Sequence, residues 1–300
     1  MNDLTSHLRI LEPHPGIWAF YDGRVPGHRF APEPNWVDDG ALSLGIASYA
    51  VVSGTEALVY DTHVSVAHAL AVRAALTGLG VTKFTVVLSH WHLDHVAGSA
   101  AFPGAEVIAN ARTAGHLRAN RAGIEDGSFH GAPAIMPLVL PTQEFSGQMH
   151  LMIGDIRVDL IEANIHSDDA TVVWLPGSRI LLAGDTVEDC VTYVGAPQDF
   201  AIHLADLGRL IALDPLFVLP NHGAREVIAA GGYGPAILGD TVNYIGWLQR
   251  LPVAPDTTSE EMAVAIAPAL AAGTALFYAP YEAVHRQNMA RVRALMAGNG

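Results

Sequence analysis

The sequence predicts an α/β fold in which two sheets are flanked by helices. The first half of the chain carries short apolar runs, typical of strands, at residues 16–21, 48–53, 57–61, 84–88 and 106–110. Helical spacing of apolar residues at 64–79 and 111–120 places a helix before and after the 84–88 strand. Gly80 provides a stop for the first of these helices.

A second group of strands supports the same conclusion. Four runs are predicted as strands, at residues 149–153, 156–162, 170–175 and 179–183. They are joined in pairs by Gly154-Asp155 and by Pro176-Gly177-Ser178, which favour hairpins. A helix at 202–213 and a strand at 216–220 follow. Three further helices are predicted after residue 234, at residues 235–251, 259–272 and 281–297.

Composition limits the classes of function. The chain has 16 basic and 30 acidic residues, a net charge of −14, and no cluster of cations that would neutralise phosphates, which argues against nucleic-acid binding. No apolar run is long enough to span a bilayer, and the amino terminus does not read as a signal peptide. The single cysteine, Cys190, fits a reducing compartment. We therefore expect a cytoplasmic protein without a membrane partner.

One stretch concentrates groups that bind metal ions. His90, His92, Asp94 and His95 lie within six residues, directly after the apolar strand at 84–88. Side chains two apart on an extended segment share a face, so His90 and His92 can reach the same ion. Imidazole and carboxylate suit zinc and related divalent ions. Scattered polar histidines are the alternative, but packing poorly explains three imidazoles and a carboxylate this close together.

The pattern His90-x-His92-x-Asp94-His95 resembles the signature of the metallo-β-lactamase superfamily. Further matches follow in the order of that family: Ile165-His166-Ser167, the run ending in Gly184-Asp185-Thr186, and Pro220-Asn221-His222-Gly223. The resemblance spans roughly residues 16–225. It implies a four-layer αββα sandwich at residues 1–233, and we expect residues 234–300 to form a helical C-terminal extension packed on the same domain.

The resemblance also implies a binuclear zinc site, with iron or manganese as other possible metals. His90, His92 and His166 would hold the first ion, Asp94, His95 and His222 the second, and Asp185 would bridge both. The implied activity is hydrolysis of an ester, lactone, thioester or β-lactam by a metal-activated water, with Asp94 and Asp185 as catalytic residues. Asp61 would support the site by accepting an imidazole N–H. We expect His116 to lie on a helix surface and His63 at a pocket rim or in the core.

Several alternatives remain open at this stage. β-Lactamases with a similar stretch after His166 typically carry cysteine where Asp185 stands, and Asp185 is more like glyoxalase II and lactonases. An iron-dependent oxidoreductase resembling persulfide dioxygenase would need a subset of the same ligands, and a non-catalytic scaffold is a third possibility. Trp36, in the long loop at 22–45, and Tyr193 are equally consistent with packing and with substrate contact. The substrate is expected to be a small molecule, and a homo-oligomer is possible.

Overall fold

A computed structural model describes residues 4–251 and 261–298 of the chain. The strands form two sheets, and their bounds follow. The first sheet contains β1 (Arg9–His14), β2 (Ile17–Asp22), β3 (Ile46–Ser53), β4 (Glu56–Tyr60), β5 (Lys83–Val87), β6 (Glu106–Asn110) and β7 (Gln143–Phe145), in that order. The second contains β8 (Gln148–Ile153), β9 (Ile156–Ile165), β10 (Ser167–Leu175), β11 (Ile180–Gly184) and β12 (Phe217–Pro220).

The helices lie outside and beyond these sheets. They are α1 (Val66–Gly78), α2 (Leu93–Val96), α3 (Ala111–Asp126), α4 (Phe200–Ala212), α5 (Arg225–Ala229), α6 (Ala236–Leu248), α7 (Met262–Ala265), α8 (Ala267–Ala272) and α9 (Tyr281–Gly298). The loop at 22–45 contains one short π-helical segment, Val37–Leu42. No helix in the described part of the chain is long and apolar enough to cross a membrane.

The two sheets pack face to face through a shared apolar core. Tyr49 and Tyr60 of the first sheet are fully buried, and their hydroxyls donate across the interface to the carbonyl oxygens of Pro220 and Thr171, each at 2.5 Å. These bonds satisfy polar groups that burial would otherwise leave unpaired. They also fix the first sheet against β10 and the end of β12, where candidate site residues follow.

Helices complete the outer layers. Val72 and Leu76 of α1 and Leu117 of α3 pack with Val59 and Val86 of the first sheet in a separate cluster. On the other side α4 packs on β9, and α6 packs on α4. The predicted order of strands and helices and the four-layer αββα fold are thus confirmed.

The structure adds elements that the sequence analysis did not identify. β1, β7 and α5 were not predicted, α3 extends to Asp126, and β9 extends to Ile165. The predicted helix at 259–272 is two short helices, α7 and α8; its first two residues lie outside the described part of the chain. β1 pairs with β2 alone and is largely exposed, so it lacks the apolar alternation that identifies a buried strand.

The C-terminal helices share the core of the sandwich. Leu238 and Ile245 of α6 and Tyr281 of α9 belong to the same buried cluster as Leu182 and Leu210. The boundary at residues 233 and 234 stays a prediction, since this packing gives it no separate core.

Because the C-terminal helices share this core, a substitution in α6 should destabilise the whole domain. We expect Leu238→Ala to lower the free energy of unfolding by about 2–5 kcal/mol, because it removes a fully buried side chain. Denaturant titration followed by tryptophan fluorescence measures the effect, since Trp174 lies in β10 and Trp247 in α6. Leu216→Ala, at a 48% exposed position, is the control. A separate transition that disappears when Trp247 is replaced by phenylalanine would instead indicate an extension that unfolds alone.

Candidate metal centre

The ends of strands bring the candidate ligands to one edge of the sandwich. His90 and His92 follow β5, Asp94 and His95 lie in α2, His166 joins β9 to β10, and Asp185 and His222 follow β11 and β12. The structure therefore brings together all seven residues that the sequence analysis selected. Five of them are buried, while His92 and Asp94 are partly exposed toward a pocket.

Local backbone conformations direct these side chains. Gly98 must be glycine, because an added Cβ would lie 2.0 Å from the carbonyl oxygen of Thr62. This close approach fixes the end of α2 against the loop after β4. Gly184 has a φ of +57°, where glycine is favoured, and it turns the chain so that Asp185 follows β11. His166 itself has a φ of +70°, an uncommon conformation for a residue other than glycine.

The seven side chains form two groups that meet at one carboxylate oxygen. In the first group, His92 Nδ1 lies 3.0 Å from His166 Nε2, and His90 is within reach of both. In the second, Asp94 Oδ2 lies 3.4 Å from His95 Nε2 and 3.3 Å from His222 Nε2. Asp185 Oδ2 lies between the groups, at distances from four Nε2 atoms that follow: 3.1 Å (His95), 3.5 Å (His222), 3.6 Å (His90) and 3.6 Å (His166).

Polar contacts at Nδ1, three of them hydrogen bonds, orient four of the imidazoles. His95 Nδ1 lies 2.8 Å from Asp61 Oδ2, and His166 Nδ1 lies 3.2 Å from Glu188 Oε1. His90 Nδ1 contacts the hydroxyl of Ser89 at 2.9 Å, and His222 Nδ1 contacts the carbonyl oxygen of Gly45 at 2.7 Å. In each ring Nδ1 is thereby engaged, and Nε2 is directed to the centre. Such outer partners are typical of imidazoles that bind metals.

Divalent ions fit this arrangement. His90 Nε2, His95 Nε2 and Asp185 Oδ1 are buried without a hydrogen bond to the described residues, which is costly for polar atoms unless another group binds them. Two ligand atoms of a tetrahedral zinc ion, each about 2.1 Å from it, lie roughly 3.4 Å apart. The distances of 3.0–3.6 Å between neighbouring donor atoms agree with that spacing.

The charges of the cluster also suit cations. Burial and the neighbouring imidazoles lower the pKa of His90 well below its usual range, and burial with His166 lowers the pKa of His92 to about 3. Burial alone would raise the pKa of Asp185, but the surrounding imidazoles, His95 first, hold that pKa well below its usual range. Neutral imidazole and ionised carboxylate are the forms that bind metal ions.

Two histidines behave differently. Burial would lower the pKa of His95, but Asp185, Asp94 and Asp61 raise it well above its usual range. For His222, Asp185 and Asp94 overcome burial and raise the pKa to about 9. The carboxylates around these two rings thus favour positive charge at the centre. A divalent ion would provide that charge in place of protons.

An open pocket of about 260 Å³ leads to this centre. It is lined by Trp36 and Trp91 on the sandwich, by Tyr193, and by residues at or just before α9, among them Val284 and Gln287. Both aromatic residues whose role the sequence left open, Trp36 and Tyr193, therefore face the space beside the candidate ligands. The C-terminal helices contribute to the pocket as well as to the core.

Two other histidines have structural partners. His63 is fully buried and stacks on His68, with ring centroids 4.4 Å apart. Of the two expected positions for His63, a pocket rim or the core, the structure shows the core. His116 is half-buried on α3; its Nε2 lies 2.8 Å from Asp168 Oδ1, and its ring stacks against Trp91. It lies on the helix surface as expected, and there it supports a wall of the pocket.

Sequence reasoning missed two residues beside the centre. Glu188 is buried next to His166, and Asn221 donates from its amide to Asp61 Oδ2. Asn221 directly precedes His222, and Glu188 lies three residues after Asp185. The one sequence signal that could have identified either residue is that it is polar and lies within three positions of a candidate ligand.

Asp61 provides a test of the outer partners. It accepts hydrogen bonds from Ser89 N and Asn221, and its contact with His95 Nδ1 leaves His95 Nε2 facing the centre. In Asp61→Asn, an amide NH₂ would face these donors, so the His95 tautomer would change or the ring would move. We expect zinc affinity to fall by about 10- to 100-fold, measured by competition with a chelator.

Asp22→Asn is the matched control for this exchange. Asp22 is also buried, and its Oδ2 lies 3.0 Å from Nε2 of His68, away from the centre. An equal loss of zinc affinity in both variants would show a general loss of stability rather than a role of Asp61 at the centre.

Known proteins were compared with this chain. The model of the metallo-beta-lactamase superfamily matches residues 43–226. A metallo-beta-lactamase from Pontibacter korlensis is 19% identical, with a TM-score of 0.61 over 80% of this chain and 99% of its own. The DIM-1 metallo-beta-lactamase is 22% identical, with a TM-score of 0.58 over 80% and 97%. A metallo-beta-lactamase from Hirschia baltica is 18% identical, with a TM-score of 0.56 over 79% and 97%.

No curated protein matches the sequence. At these identities the solved structures establish the fold, while the family model covers more than half of the chain. The chain therefore belongs to the metallo-β-lactamase superfamily, whose members are typically metal-dependent hydrolases.

Proposed function

We propose that the protein is a binuclear zinc-dependent hydrolase that opens a carbonyl substrate. The observation that carries this proposal is the position of Asp185 Oδ2, which lies within 3.1–3.6 Å of four imidazole nitrogens from both groups of candidate ligands. A carboxylate at such a place would be shared between two cations. His90, His92 and His166 would hold one ion, and Asp94, His95 and His222 the other.

Two zinc ions held here would supply a water activated near neutral pH and would polarise the substrate carbonyl. The chain itself would position the reactants. Asp94 is partly exposed to the pocket, where its carboxylate would orient the attacking water and accept its proton. Asp185 holds both groups of ligands together.

Tyr193 is the candidate donor to the carbonyl oxygen or the leaving group. Its ring lies beside those of His166 and His92, with centroids 5.3 and 6.2 Å away. Its hydroxyl oxygen accepts from Arg291 Nη2, and the guanidinium lies 4.3 Å from the ring centroid. Tyr193 lines the pocket, so its phenolic O–H would be the group that donates to the substrate.

A cysteine nucleophile is not part of this proposal. Burial raises the pKa of the Cys190 thiol to about 12, and the thiol donates to the carbonyl oxygen of Leu276. A neutral, buried thiol is a poor nucleophile. Activated water is therefore the attacking group that the site supports best.

Elemental analysis of the purified protein, with a screen of nitrocefin, lactones, thioesters and aryl esters, tests this function. About two zinc ions per chain and turnover of one carbonyl class would support it. Stoichiometric iron, or one metal without hydrolysis, would contradict it and favour the oxidoreductase alternative. A small-molecule substrate agrees with the pocket volume. Cytoplasmic location, absence of nucleic-acid and membrane partners, and a homo-oligomer stay predictions from the sequence.

A further inference from the structure

We propose that the substrate is an uncharged acyl compound with an apolar or aromatic body, and that the pocket selects against substrates with a carboxylate near the scissile bond. This inference rests on the proposed hydrolase function and names the substrate class within it.

The walls present aromatic and aliphatic surface. Trp91 packs between Phe129, at 5.3 Å between ring centroids, and His116, at 5.0 Å. Trp36 is fixed by a hydrogen bond of 3.0 Å from its Nε1 to the carbonyl oxygen of Pro133. Leu44 and Val284 complete the apolar lining. Rings held in this way offer flat apolar faces to a bound group.

The charged groups at the pocket are acidic. Apart from the candidate ligands, the charged side chains among the described lining residues are Asp39 and Glu188, and no arginine or lysine lines this space. The polar remainder consists of His130, Tyr193 and Gln287, which offer hydrogen bonds but not the permanent charge of a guanidinium or ammonium group.

The arginines near the pocket have other partners. Arg29 lies 3.5 Å from Asp38 and 3.4 Å from Asp39, while Arg291 is engaged with the ring and hydroxyl of Tyr193. Arg29 would first have to leave these contacts to bind a substrate carboxylate. Arg291 Nη1 is buried without a hydrogen bond to the described residues, but Arg291 is not among the residues that line the pocket.

Glu188 strengthens the argument because its carboxylate is fixed in place. It is buried, accepts from the Tyr281 hydroxyl at 3.0 Å, and accepts from the backbone N–H of Tyr193 at 2.9 Å. Together with Asp94 and Asp185 it offsets the positive charge of bound ions, whose remaining field acts at the reacting carbonyl. Beyond the bound ions, a carboxylate of the substrate would thus meet negative charge or an apolar wall.

Burying a carboxylate without a partner costs several kcal/mol, whereas an apolar group gains free energy in the same place. Neutral esters and lactones are therefore favoured over β-lactams and other substrates that carry a carboxylate close to the reacting carbonyl.

Two chromogenic esters test this selectivity with the zinc-loaded full-length enzyme. 4-Nitrophenyl butyrate and 4-nitrophenyl hemisuccinate share the leaving group and a four-carbon acyl chain, but the second ends in a carboxylate. The rate of each ester without enzyme is subtracted, which for the hemisuccinate includes attack by its own carboxylate on the ester carbonyl. We then expect kcat/KM to be at least about thirty-fold higher for the butyrate.

A charge added to the wall provides the second measurement. Gln287 is exposed on α9 and lines the pocket, so Gln287→Arg should be tolerated. We expect this variant to lower the ratio of kcat/KM for the butyrate to kcat/KM for the hemisuccinate by about tenfold, because it hydrolyses the hemisuccinate faster. Gln287→Met changes the shape of the side chain without adding charge, so its ratio of kcat/KM for the two esters should equal that of the unmodified enzyme.

The outcomes separate this inference from the function on which it rests. Turnover of both esters at similar kcat/KM, or a ratio that Gln287→Arg leaves unchanged, would overturn the inference while the hydrolase function stands. Hydrolysis of neither ester would overturn the inference, and a protein that binds two zinc ions but turns over no compound of the wider screen would overturn both.

Discussion

Asp185→Asn is expected to lower kcat/KM by on the order of 10³-fold and to reduce bound zinc from about two ions per chain to about one. The exchange keeps the size of the side chain but removes its negative charge. Asp185 Oδ2 lies 3.1 Å from His95 Nε2 and 3.6 Å from His90 Nε2, so it links the two groups of candidate ligands. An amide is a far weaker bridge between two cations than a carboxylate.

Metal analysis after dialysis and steady-state kinetics on the substrate class found in the screen measure this effect. Asp168→Asn is the matched control, because Asp168 is half-exposed and pairs with His116 outside the centre. A variant at Asp185 that keeps two zinc ions and full activity would refute the bridging role.

The second large effect is expected for His92→Ala. This residue offers Nδ1 to the first group and lies 3.0 Å from His166 Nε2, and it also lines the pocket. Removing it leaves that group with two imidazoles, so both metal content and hydrolytic rate should fall, the rate by about 10³-fold. Elemental analysis and kinetics on the same sample link the two losses.

His116→Ala controls for the loss of an imidazole near the pocket. His116 stacks on Trp91 but belongs to neither of the two groups that surround Asp185. We expect it to keep its zinc and to change KM more than kcat. Unchanged activity in His92→Ala, with metal retained, would refute the assignment.

The centre was predictable because its chemistry is concentrated in short motifs. His90 to His95 supply four side chains within six residues, and β5 and α2 place them at one edge. His166, Asp185 and His222 each follow a strand that the sequence also identified. In these cases a local signal and a strand end coincide, which makes long-range placement predictable.

The outer partners were harder to predict. Asp61 could be named from its position at the end of a strand, but the amide of Asn221 reaches it from 160 positions away in sequence. Glu188 contacts His166 through a turn after β11 whose conformation no local pattern determines. Such contacts depend on how two loops pack, and a single sequence holds little information about that.

The pocket illustrates the same limit. The sequence indicated helices after residue 234 packed on the same domain, but it did not show which of them would line the pocket. In the structure α6 packs in the core, and Val284 and Gln287 on α9 line the pocket. The periodicity of a helix predicts which residues share a face, but not which partner that face meets.

Helix α9 forms one wall of the pocket and lies outside residues 43–226, the part matched by the superfamily model. Six groups that line the pocket, five candidate metal ligands and Tyr193, lie inside that part. Part of the pocket wall is thus encoded in a stretch of the gene separate from the candidate metal ligands. Exposed positions on the inner side of α9, such as Gln287, can diverge without disturbing the centre. A lineage that keeps the seven residues can therefore acquire new substrates by altering its last helix, and libraries confined to α9 offer the same route in the laboratory.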